Sequence, residues 1–280
     1  MVVIMCEDSG KNGMFVITHK PIDDKVDISG YHYLAVGKKL LEIPYSDSEY
    51  DNISKKNKNY CELTGLYWIW KNSNFSEIGL CHYRRFFCKV QSGFFIPLSV
   101  DELSIALKDC DIILPQKVNV HMDYLTYYEK CLRNDALRQC CEFLVRRDGN
   151  YKAVINSVLS SKSYYCYNMF YASRKTVNDY CQWLFEILFD FEPLIDMKGW
   201  NLQQQRVFGY LSEFLMNVWV NKNELRVKEV KVSQAEEFPS PLSTDASQLK
   251  LSLWKEIGYE VLPCVWPVLS KILVSNSLKK

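Results

Sequence analysis

Apolar positions recur along the 280 residues with two periods, and the changes of period divide the chain into strands and helices. Residues 14–17 (Met-Phe-Val-Ile) form a short apolar run that empties into Thr18-His19-Lys20-Pro21, the pattern of a buried strand ending in a polar loop. Residues 60–71 are apolar nearly all round and predict a buried helix, with Asn59 three positions before Glu62 in the arrangement of a capping box. A second strand is predicted over 76–81, running into His82-Tyr83-Arg84-Arg85. A helix over 101–108 precedes a strand at 111–115 that Pro115 closes. Ala136, Leu137, Cys140, Cys141, Leu144 and Val145 then repeat at helical spacing, with Arg138, Glu142 and Arg146 on the opposite face. Residues 164–171 are aromatic and β-prone, and they lead into a long amphipathic helix striped by Val177, Tyr180, Cys181, Leu184, Leu188 and Phe191. A last helix is expected at 201–220 and a last strand at 225–232. Strands interleaved with helices predict an α/β fold with a mostly parallel central sheet flanked by helices. No repeat or Gly/Ser/Pro linker divides it.

Composition narrows the function classes. Hydrophobic residues at 48% and aromatics at 14% can bury enough surface to offset chain entropy. A formal net charge of +1 supplies no long-range field for nucleic acid, so any anion must be held locally. Eleven cysteines, an odd number with Cys140 beside Cys141 and no Cys-x-x-Cys, read as buried, inert thiols in a reducing compartment. The N-terminus carries Glu7 and Asp8 and lacks a basic region, so a cytoplasmic location is expected. No apolar run approaches the roughly twenty residues of a spanning helix. The tail after residue 250, with Trp254, Trp266 and Leu269, either packs on its own domain or lies peripherally on the inner face of the cell membrane.

Three segments can carry chemistry. Thr18, His19 and Lys20 follow a strand, at the edge where open α/β sheets bind ligands; a solvated loop is the alternative. Asp51 and Asn52 open a polar loop whose lysines, Lys58 among them, approach a helix start, so they form either a diphosphate cradle or a capped helix with lysines in water. His82, Tyr83, Arg84 and Arg85 concentrate positive charge after a central strand, where the guanidinium forks match diphosphate oxygens. A structural arginine–carboxylate network competes with that reading. Asp109-Cys110-Asp111 resembles a metal-binding Asp-x-Asp, but it precedes its strand and so stands at the wrong end of the sheet. Arg206, Gly209, Glu213 and Asn217 share one helix stripe, which faces either a pocket or water.

Several of these segments together carry a resemblance. Thr18-His-Lys-Pro21, the run from Asp51 through Tyr60-Cys-Glu-Leu-Thr to Asn72, Ile78-Gly-Leu-Cys-His-Tyr-Arg-Arg85, Tyr167-Asn-Met-Phe170 and Arg206-Val-Phe-Gly-Tyr-Leu-Ser-Glu213 stand in order along roughly 14–232. The chain thereby resembles a bacterial capsular and exopolysaccharide biosynthesis family long catalogued as a domain of unknown function. Its members look like glycosyltransferases of the A-type fold, and some are associated with galactofuranosyl transfer. The resemblance implies one such domain at 14–235, with an N-terminal extension at 1–13 and a C-terminal extension at 236–280.

The same resemblance implies a nucleotide-diphosphate sugar donor, UDP-linked, and a lipid-linked or oligosaccharide acceptor. Thr18, His19 and Lys20 would stand beside the nucleoside, and Asp51, Asn52, Lys58, His82 and Arg206 would contribute to the donor site. Arg84 and Arg85 would neutralise the leaving diphosphate, Tyr83 and Asn168 would meet sugar, and Glu213 or Glu62 would act as base. Tyr60 and Tyr167 are further expected wall residues. Manganese or magnesium is the usual metal of such folds; bases where its carboxylates usually stand favour metal-independent action, with no metal ligand assigned. A nucleotide-sugar-binding or scaffold protein without catalysis is the alternative.

Overall fold

The computed structural model describes residues 10–21 and 28–234. The expected extension at 236–280, with its alternative packings, lies outside the described residues, as do residues 1–9. The strands are β1 (Asn12–Thr18), β2 (Tyr31–Ala35), β3 (Tyr45–Ser46), β4 (Glu77–His82), β5 (Arg85–Gln91) and β6 (Phe94–Pro97) in the first part. They continue as β7 (Ile112–Pro115), β8 (Val118–Asn119), β9 (Ser163–Tyr164), β10 (Phe170–Ser173), β11 (Val227–Val230) and β12 (Val232–Gln234). The helices are α1 (Asn57–Tyr60), α2 (Leu63–Asn72), α3 (Val100–Leu107), α4 (Tyr124–Leu132), α5 (Ala136–Arg147), α6 (Tyr151–Ser160), α7 (Arg174–Phe191) and α8 (Val207–Lys222).

Across the main sheet the order is β3-β2-β1-β4-β10-β7-β11, and only β10 runs against its neighbours. Both faces of β1 are covered, which is why Met14 to Ile17 is apolar without alternation. Phe15 and Ile17 join the larger core with α2, α7 and α8, whereas Met14 and Val16 join the smaller core with Leu103 of α3 and Phe86 and Phe87 of β5. β1 starts at Asn12, which pairs with Glu77, so the strand begins inside the segment expected as an N-terminal extension. Gly79 of β4 leaves room for its neighbours: a Cβ there would overlap the Met14 side chain and stand 2.7 Å from Tyr171 Cδ2.

The expected capping box at Asn59 and Glu62 does not form. Cys61 adopts φ +52° and ψ −127°, which breaks the predicted helix into α1 and α2. Glu62 then precedes α2 without a side-chain cap, and Asn59 donates to the Gln205 carbonyl instead. A capping box does occur at Ser99 and Glu102, before α3. The strand expected at 225–232 bends at Lys231, so that β11 pairs with β7 and β12 with β5. The β-prone segment 164–171 is likewise divided between β9 and β10, and the residues between them enter the site below.

Candidate functional site

Strand order reverses beside β1, since β2 and β3 lie on one side and β4 and the rest on the other. Their carboxyl ends therefore open a crevice at a topological switch point, the place where open α/β sheets bind ligands. β1 delivers Thr18, His19 and Lys20 to it, and β4 delivers His82. The antiparallel pairing of Phe170 with Leu80 brings Tyr167 and Asn168, just before β10, to the same edge. His82 pairs with Arg85, so Tyr83 and Arg84 form the two-residue turn between β4 and β5.

Positive charge and aromatic rings interleave there. Lys20 Nζ and the Arg84 guanidinium carbon each lie 5.1 Å from the centroid of the Tyr83 ring, and the His19 ring meets it edge-on at 5.4 Å. The Arg85 guanidinium lies 4.6 Å from the Tyr167 centroid. Partial burial, then the charges of Arg84, Lys20, Arg206 and Lys38, hold His19 below the ordinary imidazole range. Cations from four segments thus act together on the His19 imidazole. Among the described residues, neither Lys20, Arg84 nor Arg85 forms an ion pair with a carboxylate.

His82 is held differently. Its Nε2 donates to the Tyr167 carbonyl at 2.7 Å, and burial lowers its basicity. It therefore serves as a neutral strut. Tyr167 N–H in turn donates to Glu213 Oε1 at 2.9 Å, and Asn168 Nδ2 donates to Glu62 Oε1 at 2.6 Å. Tyr167 and Asn168 both take positive φ, +78° and +50°. A left-handed conformation costs a bulky residue about 1–2 kcal/mol, which a hydrogen bond to a charged acceptor, worth about 1.5–3 kcal/mol, offsets. Tyr167 and Asn168 thus tie together His82, Glu213, Glu62 and Arg85.

The stripe of α8 faces this loop and not water. Asn217 accepts from Tyr165 N and donates to Tyr165 O, Gly209 packs beside Cys61, and Glu213 reaches Tyr167. Arg206, just before α8, donates from Nε to Cys61 Sγ at 3.2 Å and stays exposed.

Other expected residues have different tasks. Thr18 is fully buried, and its hydroxyl donates to the Lys20 carbonyl, shaping the loop. Asn168 is 5% exposed, with its amide engaged inside the protein, so it is not placed to meet sugar. Asp51 N–H and carbonyl pair with Asn72 at the far end of α2, about 15 Å along the helix from Glu62. Asn52 accepts from Ser54 in a local turn. Asp51 and Asn52 therefore hold a loop away from the crevice. Lys58 is exposed on the four-residue α1, which is too short to form a diphosphate cradle at its start. Tyr60 is fully buried, stacked on Phe208 with its hydroxyl donating to Glu192, and it lines no pocket. Asp111 forms a paired contact with Arg226 at the start of β7, so the Asp-x-Asp stands at the opposite sheet edge as its order implied.

Sequence reasoning missed Lys38 and the buried Asp47, whose carboxylate accepts from Gly37 N–H and Thr64 Oγ1 and ties the end of β2 to α2. Gly37 at φ +75°, directly before Lys38, is the local sign of that turn. Among the described residues, no three His, Cys, Asp or Glu side chains cluster as a metal site, and no helix is long and apolar enough to cross a membrane. The nine described cysteines are free thiols.

No curated protein matches this chain. A solved structure, of the apo form of the bifunctional glycosyltransferase WbbM, is similar at a TM-score of 0.71 and 26% identity. The likeness covers 85% of this chain and 48% of that one, so the chain spans about half the length of the protein it matches. The shared architecture is the α/β glycosyltransferase-like fold that the motifs implied. A family model matches residues 13–224, and the chain belongs to that family, described as a domain of unknown function, DUF4422.

Proposed function

We propose that the protein transfers a sugar from a nucleoside-diphosphate donor, UDP-linked, to a growing lipid-linked or oligosaccharide acceptor of a capsular, exopolysaccharide or O-antigen glycan. The observation that carries this reading is the cationic crevice at the β1–β4 switch point, with Glu62 and Glu213 tied to one loop beside it. A structural likeness to a glycosyltransferase supports it. Galactofuranose is the donor sugar we favour, on the sequence resemblance alone.

In this scheme Tyr83 and Tyr167, with their attendant cations, flank the donor, and Arg84 and Arg85 meet the diphosphate. The acceptor oxygen bonds to the anomeric carbon. The bond from that carbon to the diphosphate oxygen breaks, and its electron pair leaves with the diphosphate. The acceptor proton passes to a carboxylate of the crevice. Preorganised guanidinium groups stabilise the charge that develops on the leaving group, which is where binding energy raises the rate.

The residues present do not fit a divalent cation at the diphosphate. The side chains at the end of β4 and in the turn after it are His82, Tyr83, Arg84 and Arg85, and His82 already spends Nε2 on Tyr167. No step is therefore routed through manganese or magnesium. We place the reaction in the cytoplasm, at the inner face of the membrane if the tail docks there.

Sugar transfer from UDP-, GDP-, CDP- and dTDP-linked donors to a glycan acceptor, followed by chromatography in excess chelator, tests the scheme. Transfer or slow hydrolysis of one donor class with chelator present is expected. Activity abolished by chelator and restored by manganese overturns the arginine-only scheme. Nucleotide binding without any turnover supports the non-catalytic alternative.

A further inference from the structure

Glu62 and Asn168 are 106 positions apart in the chain and meet at the crevice. Asn168 Nδ2 donates to Glu62 Oε1 at 2.6 Å and to the Gly209 carbonyl at 2.9 Å. A carbonyl accepts only, so the amide cannot be reversed without facing oxygen against oxygen. Asn168 Oδ1 accepts from Ser212 Oγ at 2.9 Å, and Ser212 is fully buried. Both amide hydrogens and the amide oxygen are thus occupied. Such an amide is a fixed fixture of the site, and the one charged group it grips is Glu62. Glu213 has a different duty, since its Oε1 accepts the backbone N–H that secures the left-handed loop.

We infer that Asn168, locked by Ser212 and the Gly209 carbonyl, is a positioning residue that holds the Glu62 carboxylate at the crevice, and that Glu62 takes the proton of the acceptor hydroxyl. This rests on the transferase reading above. The step is balanced: the acceptor O–H proton moves to Glu62 as its oxygen bonds to the anomeric carbon and the diphosphate departs with the old bonding pair. The titratable and charged groups around Glu62 are the neutral His82 imidazole on β4, the Arg206 guanidinium before α8 and the neighbouring Cys61 thiol, on which Glu213 of α8 also acts. Asn168 is the neutral donor among them, so its replacement changes the charge at Glu62 with little change of shape.

Asn168→Asp puts a second carboxylate against Glu62, and like charges disfavour joint ionisation. We expect the acid limb of the turnover profile to move up by about one pH unit or more. Turnover should fall by about 100-fold, the scale of a misplaced general base, with UDP affinity within about twofold. Ser212→Ala loosens the amide without adding charge and should move the acid limb in the same direction by less.

Titration of the side-chain carboxyl 13C resonance of Glu62, assigned with Glu62→Gln, reads the same effect without turnover. An upward move in both variants is expected. A Glu62 titration unchanged in both overturns the positioning role. An unchanged profile with lost donor affinity overturns it as well, and assigns the loss of turnover to donor binding. If the unaltered protein turns over no sugar nucleotide, the transferase reading and the proton transfer fall, while the carbon titration still decides whether Asn168 holds Glu62.

Discussion

Removing the Arg85 guanidinium should separate catalysis from folding. Arg85 stands at the first position of β5, where its backbone pairs with His82 and its side chain lies against the Tyr167 ring. Charge–ring contact at a partly exposed site contributes about 0.5–1 kcal/mol, so Arg85→Ala should cost little stability. Its effect on a diphosphate is larger. Two opposite unit charges about 4 Å apart at an effective dielectric constant of about 20 interact by about 4 kcal/mol. Residual solvent at this half-buried side chain trims that to about 3 kcal/mol, or about 100- to 200-fold in kcat/KM. Arg85→Lys should fall between the two, because an ammonium keeps the charge but lacks the planar fork. The assay is UDP release from the active donor, with thermal unfolding measured alongside. Arg85→Ala within threefold of the unaltered rate refutes leaving-group stabilisation by this residue, as does an activity loss that merely tracks unfolding.

Two further outcomes follow from packing and protonation. Gly79→Ala drives a Cβ into the Tyr171 ring, which cannot swing aside because its hydroxyl is anchored to Glu77 and Ser104. Overpacking of this kind costs about 1–3 kcal/mol, and an unfolding midpoint unchanged or raised would contradict the close approach of β4 and β10. His19 and His82 are both held below the ordinary imidazole range, by burial foremost. Below about pH 6.5 the unfolded chain therefore binds more protons than the folded one, and stability falls as pH drops from there toward the folded values. His82→Gln should flatten that fall while keeping a donor to Tyr167; a slope identical to the unaltered protein would assign the decline elsewhere.

The main strands and most of the long helices were legible because burial on both faces, or on one stripe, leaves an apolar pattern. β1, β4, α5 and α7 are of that kind. β2 mixes His32 with aromatics, and α4 and α6 carry polar residues through short spans, so none of the three stood out. The capping box was misplaced because Asn59 and Glu62 have the right spacing while Cys61 between them turns left-handed, a choice that tertiary packing makes.

Lys20, Arg84 and Arg85 could be placed at this sheet edge from strand ends alone, since topology carries strand ends to one edge. The hydrogen bonds that link Asn168 to Glu62, Gly209 and Ser212 could not, because they join residues 41 to 106 positions apart. Asp51 and Asn52 sat in the most distinctive polar run yet serve a local loop, which shows that a run of polar residues does not say which end of its helix the ligand occupies.

A structure of the protein with UDP bound tests the central claim most directly. The account predicts the diphosphate at the carboxyl ends of β1 and β4, with Arg84 and Arg85 within hydrogen-bond distance of its oxygens and the base beside Tyr83 and His19. A nucleotide bound elsewhere on the molecule, or one whose diphosphate touches neither arginine, would contradict it.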